Sequence, residues 1–325
     1  MKKILLFLSL TIILSGVIGC TKTEIPKKEH KNISFSFQDG TPALTVAKLA
    51  KENPALDETI IIDYKMEKSP DLLVTKILKE EADIAIVPSN LAAQAFNKGL
   101  TYEIVGTSVW GSLYLASTEE INGFVELQGK DIYSFGKGLT PDLVLRYVLS
   151  NNGIDLDNDV KLTYLSSASE VGPLFLSGKA KLAVLAEPLL TAVKMKKPEV
   201  KVIFDLNEEW AKATGVEKGY PQACLIIKKD LIENDRKFVE EFIKLYEESR
   251  IWAAENPKVL GEYAEALEIS VKKETLEKGI IWNNIETFDI KECKDEYYNY
   301  YKAIFDFAPD FIGGKIPDEK IYFER

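Results

Sequence analysis

Short apolar runs rich in β-branched residues alternate with longer segments of helical periodicity from about residue 33 onwards. Such runs are typical of buried strands, and apolar residues that recur every three or four positions are typical of helices. The first part of the chain is predicted to contain strands at 33–37, 59–65, 82–89, 102–108 and 112–117, and helices at 42–52, 69–81 and 89–99. This alternation indicates a parallel sheet with helices on both faces.

The same rhythm begins again after residue 130. Strands are predicted at 131–135, 160–165, 180–188, 200–206 and 223–229, and helices at 140–153 and 167–179. Beyond about residue 230 the pattern is helical,. Two α/β units followed by a helical tail predict either two lobes with a cleft between them or a single doubly wound sheet, and the pattern alone leaves both open.

The first nineteen residues have the pattern of an export signal. Lys2 and Lys3 precede an apolar run, 4–13, that is too short for a settled transmembrane helix, and small residues then lead to Cys20,. A cysteine at this position resembles the lipobox of bacterial lipoproteins, although Ile18 occupies a place where a small residue is more usual. The resemblance implies that Cys20 becomes the lipidated first residue of the mature chain. An N-terminal anchor helix or an ordinary signal peptide stays open.

Composition narrows the class of partner. The chain has 325 residues, 46% of them hydrophobic, so it can bury one large core or two of ordinary size,. Its formal net charge is −10, and residues 1–19 contribute two lysines and no acidic residue. Nucleic acids and anionic lipid surfaces require basic patches, so neither is expected as a partner.

The sequence offers few residue patterns typical of catalytic or metal-binding sites. The only histidine, His30, lies in the polar segment 21–31, which excludes Ser-His and Cys-His catalysis in the folded part. Beyond Cys20 only Cys224 and Cys293 remain, which makes a zinc site implausible and leaves open whether the two thiols pair. The stretch "SFGKGLTPD" lacks the spacing of a phosphate-binding loop, and Pro141 replaces the third glycine of the dinucleotide fingerprint. No cofactor is predicted.

Strand ends run into helices through short polar or proline-marked turns. These turns lie at 39–43, 87–91, 138–142, 166–170 and 186–190. In parallel α/β sheets such ends face one crevice, where ligands bind, and helix N-termini offer free backbone N–H groups there. Helix capping alone would also explain them. Trp110, Phe135 and Tyr220 lie near the turns and would suit either a small-molecule pocket or ordinary packing.

The order of these segments resembles a known family, the solute-binding lipoproteins of ABC importers with the type 2 periplasmic-binding-protein fold. The nearest branch is the one for nitrate, sulfonate, taurine and thiamine precursors. The resemblance rests on "GTPALTVAKLA", "ADIAIVPSNLAAQAFNKG", "VWGSLYLAS", "GKDIYSFGKGLTPDLVLRYVLSNNGID", "LFLSGKAKLAVLAEPLLT" and "GGKIPDEKIYF", and it covers roughly residues 33–325.

The resemblance implies a two-lobed α/β fold with two crossing hinge strands and a helical C-terminal region. Its expected parts are a signal peptide at 1–19, a tether at 20–31, lobe 1 at 32–118 plus 220–325, and lobe 2 at 119–219. A monomer would be lipid-anchored on the extracytoplasmic face of the cell membrane, trap a small molecule by lobe closure and pass it to an ABC permease with a separate ATPase. A small-metabolite enzyme on the same fold and a ligand-sensing lipoprotein without transport are the alternatives.

The family's pocket positions, carried over to this chain, predict the ligand site. They are Gly40, Thr41, Ser89, Asn90, Trp110, Gly136, Lys137, Gly138, Thr140, Glu187 and Tyr220. Glu187 with Trp110 and Tyr220 would suit a ring that bears hydrogen-bond donors, such as a thiamine-type pyrimidine. Lys137 would suit a sulfonate or nitrate, but a carboxylate that faces the ligand disfavours an anion. The N-heterocycle is therefore favoured, and the role of Lys137 stays open.

Overall fold

The computed structural model describes residues 30–277 and 287–324. The predicted signal peptide, most of the tether and the lipidation site Cys20 lie outside these residues. No helix within the described ranges is long and apolar enough to cross a bilayer.

The described residues contain ten strands and twelve α-helices. The strands are β1 (Lys31–Gln38), β2 (Ile60–Glu67), β3 (Ile84–Pro88), β4 (Tyr102–Trp110), β5 (Leu113–Ser117), β6 (Lys130–Phe135), β7 (Val160–Leu165), β8 (Leu182–Ala186), β9 (Lys201–Asp205) and β10 (Pro221–Lys228). The helices are α1 (Thr41–Glu52), α2 (Pro70–Leu78), α3 (Ser89–Asn97), α4 (Thr140–Asn151), α5 (Ala168–Leu176), α6 (Leu189–Lys196), α7 (Leu206–Thr214), α8 (Lys229–Asn234), α9 (Arg236–Glu255), α10 (Pro257–Ala266), α11 (Lys273–Glu277) and α12 (Lys294–Phe307).

The strands form two separate five-stranded sheets, which decides between the two architectures that the sequence left open. The first sheet has the order β2-β1-β3-β10-β4, and the second has the order β7-β6-β8-β5-β9. In the first, β1 is parallel to β2 and β3, whereas β10 is antiparallel to β3 and β4. In the second, β6 is parallel to β7 and β8, whereas β5 is antiparallel to β8 and β9. The predicted two-lobed α/β fold is confirmed.

Two short connections join the sheets. Gly111 and Ser112 link β4 to β5, and residues 215–220 link α7 to β10. The Gly111 N–H donates to the Tyr220 carbonyl at 3.0 Å, so the two connections lie side by side. Strand β5, which the predicted bounds include in lobe 1, pairs within the second sheet. The chain therefore crosses between the sheets before β5.

Two apolar clusters form the core. One lies against the first sheet and contains Phe35, Leu44 and Phe242. The other is continuous from the first sheet to the second, from Val87 to Leu185. Helix α12 connects the two units, because the Tyr301 hydroxyl donates to the carbonyl of Ser89 on one side and the Tyr300 hydroxyl bonds Thr140 on the other. The C-terminal helices thus belong to the frame that holds the cleft.

Most predicted elements are present, with one helix missed. The pattern did not single out α7, which follows β9 without a loop because the Asp205 carboxylate accepts from the N–H groups of Asn207 and Glu208 and caps the helix,. Cys224 and Cys293 are both buried free thiols.

Candidate functional site

A cavity of about 560 Å³ lies between the two sheets. On the first side its wall comprises the β1–α1 turn, the end of β3, the start of β10 and residues 270–275. On the second side the wall comprises the end of β6, α5 and the β8–α6 turn. The turns at 39–43 and 186–190 therefore face one crevice, as expected for strand ends in α/β sheets.

The cavity has the size and lining of a small-molecule site. Its apolar lining includes Ile86, Phe135, Leu176, Leu189, Val193 and Val271. Polar side chains are fewer, and they include Thr41, Ser167, Ser169, Glu187 and Gln222. Ligand pockets typically measure about 300–1,000 Å³ and place a few polar groups on mostly apolar walls.

Glu187 is a half-buried carboxylate in the wall of this cavity. It begins the β8–α6 turn. Its N–H donates to the Ser112 carbonyl at 3.1 Å, and its carboxylate accepts from the N–H and hydroxyl of Thr191 at 3.2 and 3.1 Å. Burial raises the pKa of Glu187, and the two Thr191 bonds offset this only in part,. A ligand that donates hydrogen bonds would therefore stabilise this carboxylate.

Gly40 and Thr41 are part of the opposite wall. Gly40 has a φ of 100°, which favours glycine, and no atom lies within 4 Å of where its side chain would begin,. The Thr41 hydroxyl donates to the backbone carbonyl of Glu187 at 2.6 Å. The Thr41 side chain therefore joins the two walls of the cavity.

Asp39, which was not among the predicted site residues, holds part of the cavity wall in place. Its carboxylate accepts from the N–H of Ser270 at 2.9 Å, from the Ser270 hydroxyl, and from the Lys68 ammonium at 3.0 Å. Burial raises the pKa of Asp39, but the bonds from Ser270 and Lys68 outweigh it and hold that pKa below its ordinary value. The Lys68 charge is thus neutralised within the wall, and the 270–275 segment is fixed beside the cavity.

Three of the predicted residues bridge the sheets instead of lining the cavity. The Asn90 amide donates to the carbonyls of Gly138 and Phe311 at 3.0 and 3.1 Å. The Thr140 hydroxyl donates to the Asn90 side-chain oxygen at 3.3 Å and lies 2.8 Å from the Tyr300 hydroxyl. Their polar atoms satisfy one another, so they hold the two units together.

The turn around Lys137 is a helix start. Gly136 and Gly138 have φ of 63° and 77°. The Asp142 carboxylate accepts from the Gly138 N–H at 2.8 Å and from the Tyr164 hydroxyl. The exposed Lys137 ammonium lies 5.6 Å from the centre of the Tyr164 ring, and Lys137 does not line the cavity. The lysines that do line it are Lys68, Lys196 and Lys272.

The remaining predicted residues lie in the core. Ser89 and Tyr220 are fully buried, and Trp110 is 1% exposed. The Trp110 indole N–H donates to the Thr287 carbonyl at 3.1 Å, and the Tyr220 ring packs 5.6 Å from that of Trp210. None of the three lines the cavity, and a ligand contact for them stays a prediction. No group of three or more metal-ligating side chains occurs among residues 30–277 and 287–324.

A family model described as NMT1/THI5 like matches residues 57–259. The chain belongs to this NMT1/THI5-like family. Over 202 residues this family member is 22% identical to YtlA of Bacillus subtilis strain 168, which is provisionally named a binding protein. That match covers 60% of this chain and 58% of YtlA, so the chain spans little more than half the length of that curated relative.

Solved structures share the fold of this NMT1/THI5-like protein. An ABC transporter protein from Parabacteroides distasonis is 27% identical and has a TM-score of 0.71, over 90% of this chain and 99% of that one. The periplasmic aliphatic sulphonate-binding protein SsuA from Escherichia coli has a TM-score of 0.67 over 90% and 92% of the two chains, and at 14% identity shows likeness of fold alone. One of these neighbours is an ABC transporter protein and the other is a periplasmic binding protein, in agreement with the expectation of a binding protein and not an enzyme.

Proposed function

We propose that this NMT1/THI5-like protein is the extracytoplasmic solute-binding component of an ABC importer, and that it captures a small N-heterocycle between its two lobes. The observation that carries the proposal is the cavity between two α/β units with Glu187 in its wall. The likeness to the Parabacteroides distasonis structure supports the transport role.

Glu187 favours a ligand with N–H donors. Its raised pKa reflects a carboxylate that has lost solvent and gained only the two Thr191 bonds in return. An anion placed against it would be repelled, whereas an amino or ring N–H group would supply the missing hydrogen bonds. The apolar lining, with the Phe135 ring, suits the faces of a heteroaromatic ring,.

The volume also disfavours nitrate. Nitrate is a four-atom anion that occupies little more than a water molecule's share of about 30 Å³ in the liquid, and the cavity measures about 560 Å³. A sulfonate with an organic body is the second candidate, because Lys196 and Lys272 also line the cavity. Lys68 is a poorer anchor for it, since Asp39 already binds its ammonium.

A thermal-shift screen against pyrimidines, flavins, polyamines, sulfonates and nitrate tests the ligand class. A compound that binds the folded state raises the melting temperature by mass action. We expect donor-bearing pyrimidines to produce the largest shifts. A large shift with an alkanesulfonate and none with any heterocycle would overturn this assignment and leave solute capture standing.

The lobes and the membrane anchor complete the proposal. Lobe 1 is proposed to comprise 32–110 plus 220–325 and lobe 2 to comprise 113–219, since β5 pairs within the second sheet, and closure of the lobes would trap the ligand. Residues 1–19 would be removed, and the tether at 20–31 would hold the folded part at the membrane through lipid on Cys20.

Cys20→Ala is expected to abolish lipidation, because the thioether to lipid forms only at a cysteine. In a bacterial host labelled with radioactive palmitate, the unchanged protein should carry label and sediment with membranes, and the variant should do neither. Cys224→Ala, which removes a buried free thiol, is the control and should behave as the unchanged protein. Label retained in Cys20→Ala would refute the anchor.

Thr41→Val is expected to speed ligand release. The change keeps the shape of the side chain but removes the hydroxyl that donates to Glu187 across the cavity. A net hydrogen-bond contribution of about 0.5–1.5 kcal/mol corresponds to roughly a two- to tenfold faster dissociation. Stopped-flow measurements with the tightest ligand of the screen give this rate, with the exposed Thr75→Val as control. An unchanged rate would show that this bond does not hold the closed form.

A further inference from the structure

We propose that Asn207 is a positioning residue whose side-chain amide clamps the two connections between the sheets and so sets the angle between the lobes. Asn207 is the second residue of α7 and does not line the cavity. The clamp itself is a matter of geometry, and only its importance for ligand capture rests on the proposed function.

The side chain of Asn207 is free for this role because the helix is capped by another residue. The Asp205 carboxylate accepts from the backbone N–H groups of Asn207 and Glu208 at 2.9 and 3.3 Å. The Asn207 amide oxygen accepts from the Tyr220 N–H at 3.2 Å, and its amide nitrogen donates to the Lys218 carbonyl at 3.4 Å. Both polar atoms thus bind the connection that leads into β10.

The same amide also contacts the other connection. A Cβ atom built on Gly111 would lie 2.0 Å from the Asn207 amide oxygen, and one built on Gly219 would lie 1.9 Å from it. Each distance is far below a van der Waals contact, so a side chain at either position would have to displace the Asn207 amide. Gly219 also has a φ of 81°, which favours glycine independently,.

Hydrogen bonds continue from this point to the cavity. Ser112, the neighbour of Gly111, donates its N–H to the Gln222 side-chain oxygen at 2.9 Å, and its carbonyl accepts from the Glu187 N–H at 3.1 Å. Gln222 and Glu187 both line the cavity. A rotation of one lobe about the connections would change these bonds, so the clamp and the ligand-binding walls are mechanically linked.

Removal of the clamp should populate open lobe arrangements in the ligand-free protein. Asn207→Ala loses two hydrogen bonds and the steric contact with both glycines, while the Asp205 cap of α7 remains. The loss of two net hydrogen bonds corresponds to a population of open molecules that is roughly 5- to 150-fold larger.

Single-molecule energy transfer between the lobes measures this population. Dyes are attached through Lys51→Cys and Glu199→Cys, two exposed positions, in a chain that begins at residue 20 and carries Cys20→Ala; Cys224 and Cys293 are buried. The labelled protein with Asn207 unchanged should give one narrow distribution of transfer efficiency. The control Glu208→Ala, which changes an exposed neighbour on the same turn, should do the same. Asn207→Ala should give a broadened or second, lower-efficiency distribution.

An Asn207→Ala distribution identical to that of the parent in folded molecules would overturn the proposal. Because no ligand is added, this result does not depend on which ligand the protein binds. General destabilisation could also alter the width of the energy-transfer distribution. A double-mutant cycle separates this effect from the loss of the clamp. Gly219→Ala should lower the melting temperature less in the Asn207→Ala background than alone, since the clash is removed and only the cost of the positive φ remains. Additive losses would show that the amide does not clamp this connection.

Discussion

Trp110→Ala is expected to lower the free energy of unfolding by about 3–5 kcal/mol, the range for large aromatic residues removed from a core. The side chain is 1% exposed and belongs to the apolar cluster that is continuous between the two sheets. Its indole N–H also donates to the carbonyl of the half-buried Thr287. Chemical denaturation followed by circular dichroism measures the loss.

Trp110→Phe is the matched variant for this prediction. It keeps most of the apolar volume and loses the bond to Thr287, so a smaller loss of about 1–3 kcal/mol is expected. Trp110→Ala could instead unfold at the same denaturant concentration as the unchanged protein and bind ligand at least about tenfold more weakly, a loss of about 1.4 kcal/mol in binding. That result would make Trp110 a ligand contact, as the family resemblance implied.

Glu187→Ala is expected to weaken binding of a donor-bearing heterocycle by at least about tenfold, or about 1.4 kcal/mol. The substitution removes the carboxylate from the cavity wall and leaves a ligand N–H group without an acceptor. Titration calorimetry measures the affinity. Glu199→Gln, which removes an exposed carboxylate outside the cavity lining, should bind as the unchanged protein. Normal binding by Glu187→Ala would contradict the proposed ligand contact.

The pH dependence of ligand binding is a second test of the contact between Glu187 and the ligand. Because burial raises the pKa of Glu187 above 4.5, the carboxylate takes up its proton at a higher pH than an ordinary glutamate. A ligand that donates to the ionised form should bind more weakly as the pH falls through this raised pKa, and Glu187→Gln should remove that dependence. In the ligand-free protein the sign for stability is opposite: the folded state binds this proton more tightly than the unfolded state, so Glu187 lowers stability as the pH rises through the two pKa values.

The local pattern of the sequence predicted the turns that frame the site. The turns at 39–43 and 186–190 follow apolar strands and precede helices, and such turns face the crevice where ligands bind in α/β proteins. The resemblance to the solute-binding lipoproteins then placed Gly40, Thr41 and Glu187 in that crevice. These are the predicted residues that line the cavity. Local periodicity locates these turns because it depends on neighbouring residues alone.

The direction of side chains at the lobe junction could not be predicted in this way. Trp110 ends β4, and its burial depends on the pairing of β4 with β10, more than a hundred residues away along the chain. Asn90 and Thr140 occupy helix starts that resemble ligand positions, yet they meet each other and α12 in the structure. Asp39 and Ser270 are 231 residues apart, and no local signal joins them. Such contacts depend on how the two units pack.

A crystal structure of the protein with the tightest ligand of the thermal-shift screen tests the central claim most directly. We expect the ligand in the cavity between the two sheets, with a ring or amino N–H about 2.8–3.0 Å from a Glu187 carboxylate oxygen. A ligand bound outside this cavity, or an anion held by Lys196 and Lys272 without contact to Glu187, would contradict the account.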